Sequence, residues 1–277
     1  PLCRVAIGEK GDEVAVKRML ARLAQEHGAD DKAIAFWQGV MSADTSDTES
    51  EGALRLLYMK VGKWHAMVDL LKEQLKRCPA HDTAAQVALH LEMIEIYKAH
   101  LNAPSKVVGS WHAILEVDPA NVGALDALAA EYEEMKRWPD LVKVLKRKVE
   151  AGGEASVLLA LHKRIASIML DKFNNSTEAI QSYEAILELD PDNLEAIEVL
   201  KDIYEKRRDW DNYIQVAERE ISLKEEGEAR DEAHIALARL AAERIRKPAT
   251  PIRLWEHVLT IDANHPEALE QLEALYE

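Results

Sequence analysis

No apolar run in this sequence approaches the ~20 residues a membrane-spanning helix needs. Cysteine is almost missing: Cys3 and Cys78 are the only two and form no C-x-x-C, which excludes a disulfide framework and a cysteine zinc site. Two unpaired thiols suit a reducing compartment, so a cytoplasmic location is expected. Glycine (11) and proline (9) are scarce, and only 5% of residues are aromatic; sheets need β-branched runs and frequent turns, so an all-α fold is expected. Positive charge is in deficit, with 35 Lys and Arg against 50 Asp and Glu, net −15. That balance argues against direct nucleic-acid binding and against a grip on anionic membrane, and favours basic partners. Ten histidines include no H-E-x-x-H and no pair at i, i+4, so no metal site is expected. No phosphate loop, nucleophile elbow or kinase signature is present. The expectation is a protein that is not an enzyme, with no cofactor and no catalytic residues.

What the sequence has is a period. Trp37, Trp111, Tyr183 and Trp255 are spaced by 74, 72 and 72 residues, and Trp64, Trp138 and Trp210 by 74 and 72. Asp44, Asp118, Asp190 and Asp262 keep the same phase, as do Tyr58, Tyr132, Tyr204 and Tyr276. Four columns in register identify a repeat, and repeats of helical pairs share one continuous core. Both tryptophan columns are therefore expected in the core. The period divides the chain into units at about 12–81, 82–153, 154–227 and 228–277, the last incomplete, with residues 1–11 expected to be the remnant of a preceding helix. The chain opens at Pro1 rather than Met and stops just after Leu269, Leu272 and Tyr276 restate an apolar face. A longer array is the expectation from both.

Local signals punctuate each unit. Apolar stripes are expected at Val14, Leu20, Leu23 and Ala24, at Val87, Leu91 and Ile94, at Leu125, Leu128 and Tyr132, and at Ile197, Leu200 and Tyr204. Asp30 or Asp31, the pair Asn175 with Glu178, the pair Asp192 with Glu195, and Thr250 before Pro251 read as helix starts.

The segment NNSTEAIQSYEAILELDPDN from Asn174 resembles the second helix of a tetratricopeptide repeat, with Ala179, Tyr183 and Pro191 in the family's small, aromatic and proline places. LEAIEVLKDIYEKRRDW resembles the first helix and turn, carrying Leu200, Tyr204 and Trp210. Lys201 and Arg55 depart from the family at a small-residue place, and Tyr213, Leu141 and Met67 depart at an alanine place. The Trp37 column also resembles half-a-TPR repeats. The resemblance implies a right-handed α-solenoid of stacked antiparallel helix pairs whose first helices line a concave face. That register turns Asp126, Glu133, Glu134, Glu198, Asp202, Glu205 and Glu270 inward, as a strip able to receive a basic or amphipathic segment of a partner protein. The same register argues against capture of a C-terminal carboxylate, because the family's basic clamp places hold Asp126, Ala130, Glu198 and Asp202. The function expected is a protein-interaction scaffold. Its rivals are a structural spacer in a larger assembly and a regulatory or RNA-processing-complex arm of the half-a-TPR type.

Overall fold

The computed structural model describes residues 10–276, with side chains from Glu13 onward. The segment read as a preceding helix lies outside the described residues, except that Lys10 and Gly11 open the first helix. All regular structure among the described residues is α-helical, in fifteen helices. They fall into two compact units, Pro1–Met135 and Lys136–Glu277.

The first unit holds α1 (Lys10–Glu26), α2 (Asp30–Ala43), α3 (Thr48–Val61), α4 (Trp64–Arg77), α5 (Thr83–Ala99), α6 (Pro104–Val117) and α7 (Val122–Glu134). The second holds α8 (Trp138–Glu150), α9 (Ala155–Phe173), α10 (Ser176–Leu189), α11 (Leu194–Arg207), α12 (Trp210–Ser222), α13 (Glu228–Arg244), α14 (Ala249–Ile261) and α15 (Pro266–Tyr276). Within each unit every helix packs on the next in sequence. Short loops between packed neighbours make each step an antiparallel hairpin, the building block of an α-solenoid.

The helix starts are written by one repeated column. Asp47, Asn121 and Asn193 each accept a hydrogen bond from the backbone N–H three residues on, at Ser50, Ala124 and Ala196. His265 does the same with its Nδ1 for Ala268. A side-chain acceptor here satisfies one of the N–H groups that a helix start leaves unpaired. The donors are small and fully buried, which lets the preceding chain pass close by. The preceding Asp118 and Asp190 accept from the Asn121 and Asn193 amides, so each loop closes as an Asp–Asn pair.

Three helix starts differ from the sequence expectation. Asn193, not Asp192, caps α11, because its oxygen is the one that reaches the Ala196 N–H. Ala29 precedes α2 without a side-chain cap, while Asp30 and Asp31 sit in the first turn and pair with Lys60 and Lys63 of α3 and its following loop. Pro248 precedes α14, which puts Thr250 and Pro251 inside its first turn. Asn175 does cap α10, accepting from the Glu178 N–H while its amide donates to the Glu178 carboxylate.

The first aromatic column lies in the core. Trp37 and Trp255 are 1% and 0% exposed, Tyr183 is buried, and Trp111 is half-buried. The second column differs from expectation, for Trp64, Trp138 and Trp210 are only half-buried. Each opens a second helix, and its ring is covered by a side chain at the end of the next helix. His100 stacks on Trp64 at 3.5 Å, Lys172 lies 5.2 Å from the Trp138 ring, and Arg244 lies 5.4 Å from the Trp210 ring. His100, Lys172 and Arg244 are themselves 72 residues apart. The column is a series of clasps between neighbouring helices, two of them cation–π contacts.

The tyrosine column is tied in the same periodic way. Gln38 Nε2 donates to the Tyr58 hydroxyl (2.8 Å), His112 Nε2 meets that of Tyr132 (2.6 Å), and Tyr204 and Tyr276 donate to Glu184 (2.8 Å) and Glu256 (2.7 Å). Every partner stands twenty residues before its tyrosine, one place after the first aromatic column. Tyr58, Tyr132 and Tyr204 are buried, and such a ring is tolerated in a core only if its hydroxyl is paired. Ile94 is buried as expected, but two stripe positions, Leu23 and Leu91, are exposed, with Ala21 and Met93 taking buried places beside them.

Candidate functional site

α11 presents Glu198, Asp202 and Glu205 to solvent at i, i+4 and i+7, a spacing that keeps three side chains on one stripe. All three are exposed. They line one recess of about 520 Å³ together with Leu194, Ile197 and Lys201 of α11 and Tyr213 and Glu220 of α12. Lys201 spans the recess, paired with Glu220 and with its ammonium 5.7 Å from the Tyr213 ring. The residue that departs from the family's small place thus reaches sideways to the neighbouring helix. Arg55 does the same in the first unit, hydrogen bonding Gln74 and pairing with Glu92. Asp202 is held by Lys206 at 2.6 Å. Among the described residues, no cation lies within ion-pair distance of Glu198 or Glu205.

The other acidic residues of the expected strip stand on other helices. Asp126, Glu133 and Glu134 are exposed on α7 of the first unit. Glu134 lines a recess with Lys98, Asn102 and Glu131, where Lys98 pairs with Glu131. Glu270 is exposed on α15, at the place α11 gives to Glu198. Two basic residues of α8 and α11 link helices: Lys146 pairs with Glu178 of α10, and Arg207 reaches Ser176 and Thr177.

A second kind of groove recurs at equivalent positions in the two units, and nothing in the sequence beyond the period points to it. In the first unit Gln38, Met41, Leu54, Tyr58, Ala66 and Leu70 line about 580 Å³. In the second Glu184, Leu187, Leu200, Tyr204, Asn212 and Val216 line about 630 Å³. Each floor carries the tied tyrosine. Burial and the bond to Glu184 push the Tyr204 hydroxyl well above the usual phenol range, since both disfavour the phenolate. It is a fixed donor.

Among the described residues, no three His, Cys, Asp or Glu side chains are grouped as metal ligands, and no helix is long and apolar enough to cross a membrane.

No family model and no curated protein matches the chain. Solved structures similar to it include a tetratricopeptide repeat protein from Parabacteroides merdae, with 11% identity, coverage of 96% of this chain and 99% of that one, and a TM-score of 0.33. The C-terminal part of a TPR repeat-containing protein from Cytophaga hutchinsonii has 12% identity, coverage of 91% and 98%, and a TM-score of 0.34. MamA from Desulfovibrio magneticus has 14% identity, coverage of 67% and 99%, and a TM-score of 0.31. Likenesses at such TM-scores carry no weight of their own. By its own helix pairs, phased caps and aromatic columns, the chain has a divergent tetratricopeptide-like fold.

Proposed function

We propose that this protein is an interaction scaffold and that the α11–α12 recess receives a basic, amphipathic segment of a partner protein. The observation that carries this reading is the gathering of Glu198, Asp202 and Glu205 in one recess beside the exposed Leu194 and the half-buried Tyr213. Carboxylates on the rim attract Lys and Arg, and the apolar patch takes the other face of an amphipathic segment. Lys201, held between a carboxylate and an aromatic face, supports this reading, since a partner's cation could be held by the same chemistry.

The test is titration with a lysine-rich amphipathic peptide at low and high salt. Exposed charges are screened beyond about 8 Å at physiological ionic strength. Affinity should therefore fall as salt rises, and fall again when Glu198, Asp202 and Glu205 are all changed to Lys. Binding unchanged by either would sink this reading.

A second reading has its own observation. On α3, Leu56 and Met59 are 64% and 45% exposed, and they stand where α11 has Asp202 and Glu205. An apolar outer face favours the first unit as a spacer held within a larger assembly. Pull-down from source cells with Leu56→Glu and Met59→Glu variants separates the two, since only the spacer reading requires loss of co-purifying protein.

A further inference from the structure

Three histidines share one place in the repeat. His90 on α5, His162 on α9 and His234 on α13 follow at intervals of 72 residues. His90 is 8% exposed and the other two are half-buried. The Nδ1 atoms of His90 and His234 are enclosed and have no hydrogen-bond partner. A ring nitrogen in that position is tolerated while the imidazole is neutral and becomes costly when it must carry a proton.

What the three rings face is not the same. His90 is within electrostatic reach of Glu116 of α6, and His162 of Glu188 of α10. These carboxylates are one repeat apart, and the next place in the series is Thr260. His234 instead meets the edge of a second imidazole, His257 of α14, with ring centroids 4.5 Å apart and planes at 64°. The remaining charges around it are Arg230 and Asp231 of its own helix and Glu218 of α12. Glu218 is already engaged, bonded through both oxygens to Arg253 of α14 at 2.6 and 2.9 Å. A proton arriving at His234 therefore finds an imidazole and a guanidinium close by, against the Asp231 carboxylate and a Glu218 carboxylate that is already paired.

We propose that the His234–His257 contact is an acid-sensitive catch that holds α13 against α14 near neutral pH and loosens as His234 takes up a proton. Burial first, then His257 and Arg230, push the His234 titration below the ordinary histidine range, against the weaker opposing pull of Asp231 and Glu218. The folded ring binds its proton less readily than the unfolded one, so the unfolded form gains protons first as pH falls. The catch contributes fully above the ordinary histidine pKa of about 6.5, and its contribution is lost as pH falls from there through the lowered folded value. Burial also pushes His90 and His162 down, but there Glu116 and Glu188 pull the other way. Acid release is expected at α13–α14 first.

Amide hydrogen exchange on the whole chain, corrected for intrinsic rates, tests this at about pH 7.5 and about pH 5.5, on either side of the ordinary histidine pKa. Protection in α13 and α14 should fall severalfold more than in α9 and α10, because only there does the proton meet a second imidazole. His234→Gln, which keeps a polar side chain but cannot titrate, should abolish the difference. His257→Gln removes only the like charge and should reduce it, and it serves alone if the first variant does not fold. A loss of protection spread evenly over α9 to α14, or a response that survives in both variants, overturns the proposal.

Discussion

α3 and α11 occupy the same place in the repeat and present opposite surfaces. Inward they match, with Leu54, Leu57 and Tyr58 buried in one and Leu200, Ile203 and Tyr204 in the other. Outward, α3 shows Gly52, Leu56 and Met59 where α11 shows Glu198, Asp202 and Glu205. Even the lateral cation is kept, Arg55 answering Lys201 and Gln74 answering Glu220. The positions that packing fixes are those a helix shares with its neighbours, and the stripe of Gly52, Leu56 and Met59 is free to differ from that of Glu198, Asp202 and Glu205. Architecture and recognition are thus separable along a single helix.

Mutations that respect this division should behave alike in both units when they strike the interior. Trp37→Ala and Trp255→Ala should each cost about 3–5 kcal/mol in chemical denaturation, as expected for deleting an enclosed aromatic. A large difference between them would mean that the two units do not share one core logic. Tyr204→Phe leaves the Glu184 carboxylate without its donor and should cost about 1.5–3 kcal/mol, the range for hydrogen bonds to charged groups. Tyr58→Phe loses only a neutral amide bond, at about 0.5–1.5 kcal/mol. Tyr276 is 65% exposed, and its Phe variant should leave the denaturation midpoint where it was.

Outer-face changes should separate the helices. Changing Glu198, Asp202 and Glu205 together to Lys should weaken a basic peptide at least about tenfold, about 1.4 kcal/mol, with little change in folding. Leu56→Glu and Met59→Glu on α3 should leave that affinity alone. Equal effects from both helices would remove the distinction drawn between them. The clasps should have a small effect on stability. Arg244→Ala should cost about 0.5–1 kcal/mol, typical of an exposed cation–π contact, and should shift the fluorescence of Trp210.

The repeat was legible because buried columns restrict residue type: an enclosed place large enough for Trp37 accepts only another large ring, so the spacing survives. Contacts whose chemistry can be met by several side chains were not legible. Gln38, His112, Glu184 and Glu256 share only an ability to bond a tyrosine hydroxyl, and His100, Lys172 and Arg244 only an ability to lie on an indole. No column of identical letters marks either set. The α11 cap differs by one residue from its expected place because Asp192 and Asn193 are equally competent acceptors. Backbone geometry decides there, since only Asn193 lies within reach of the Ala196 N–H. At the α11 recess the acids themselves were readable, but its apolar wall was not, because Tyr213 comes from the following helix.

Packing each helix on the next in sequence also sets how the protein is made and unmade. The tyrosine ties close loops of twenty residues, and the ion pair from Lys146 to Glu178 closes thirty-two. Loops this short cost little entropy to close, so each hairpin can form soon after its own residues have left the ribosome. Chains dominated by local contacts fold quickly, and in an array each added hairpin is stabilised mainly by the one before it. Unfolding should run in the opposite sense, with broad denaturant transitions and lower apparent cooperativity than a globule of 277 residues would show.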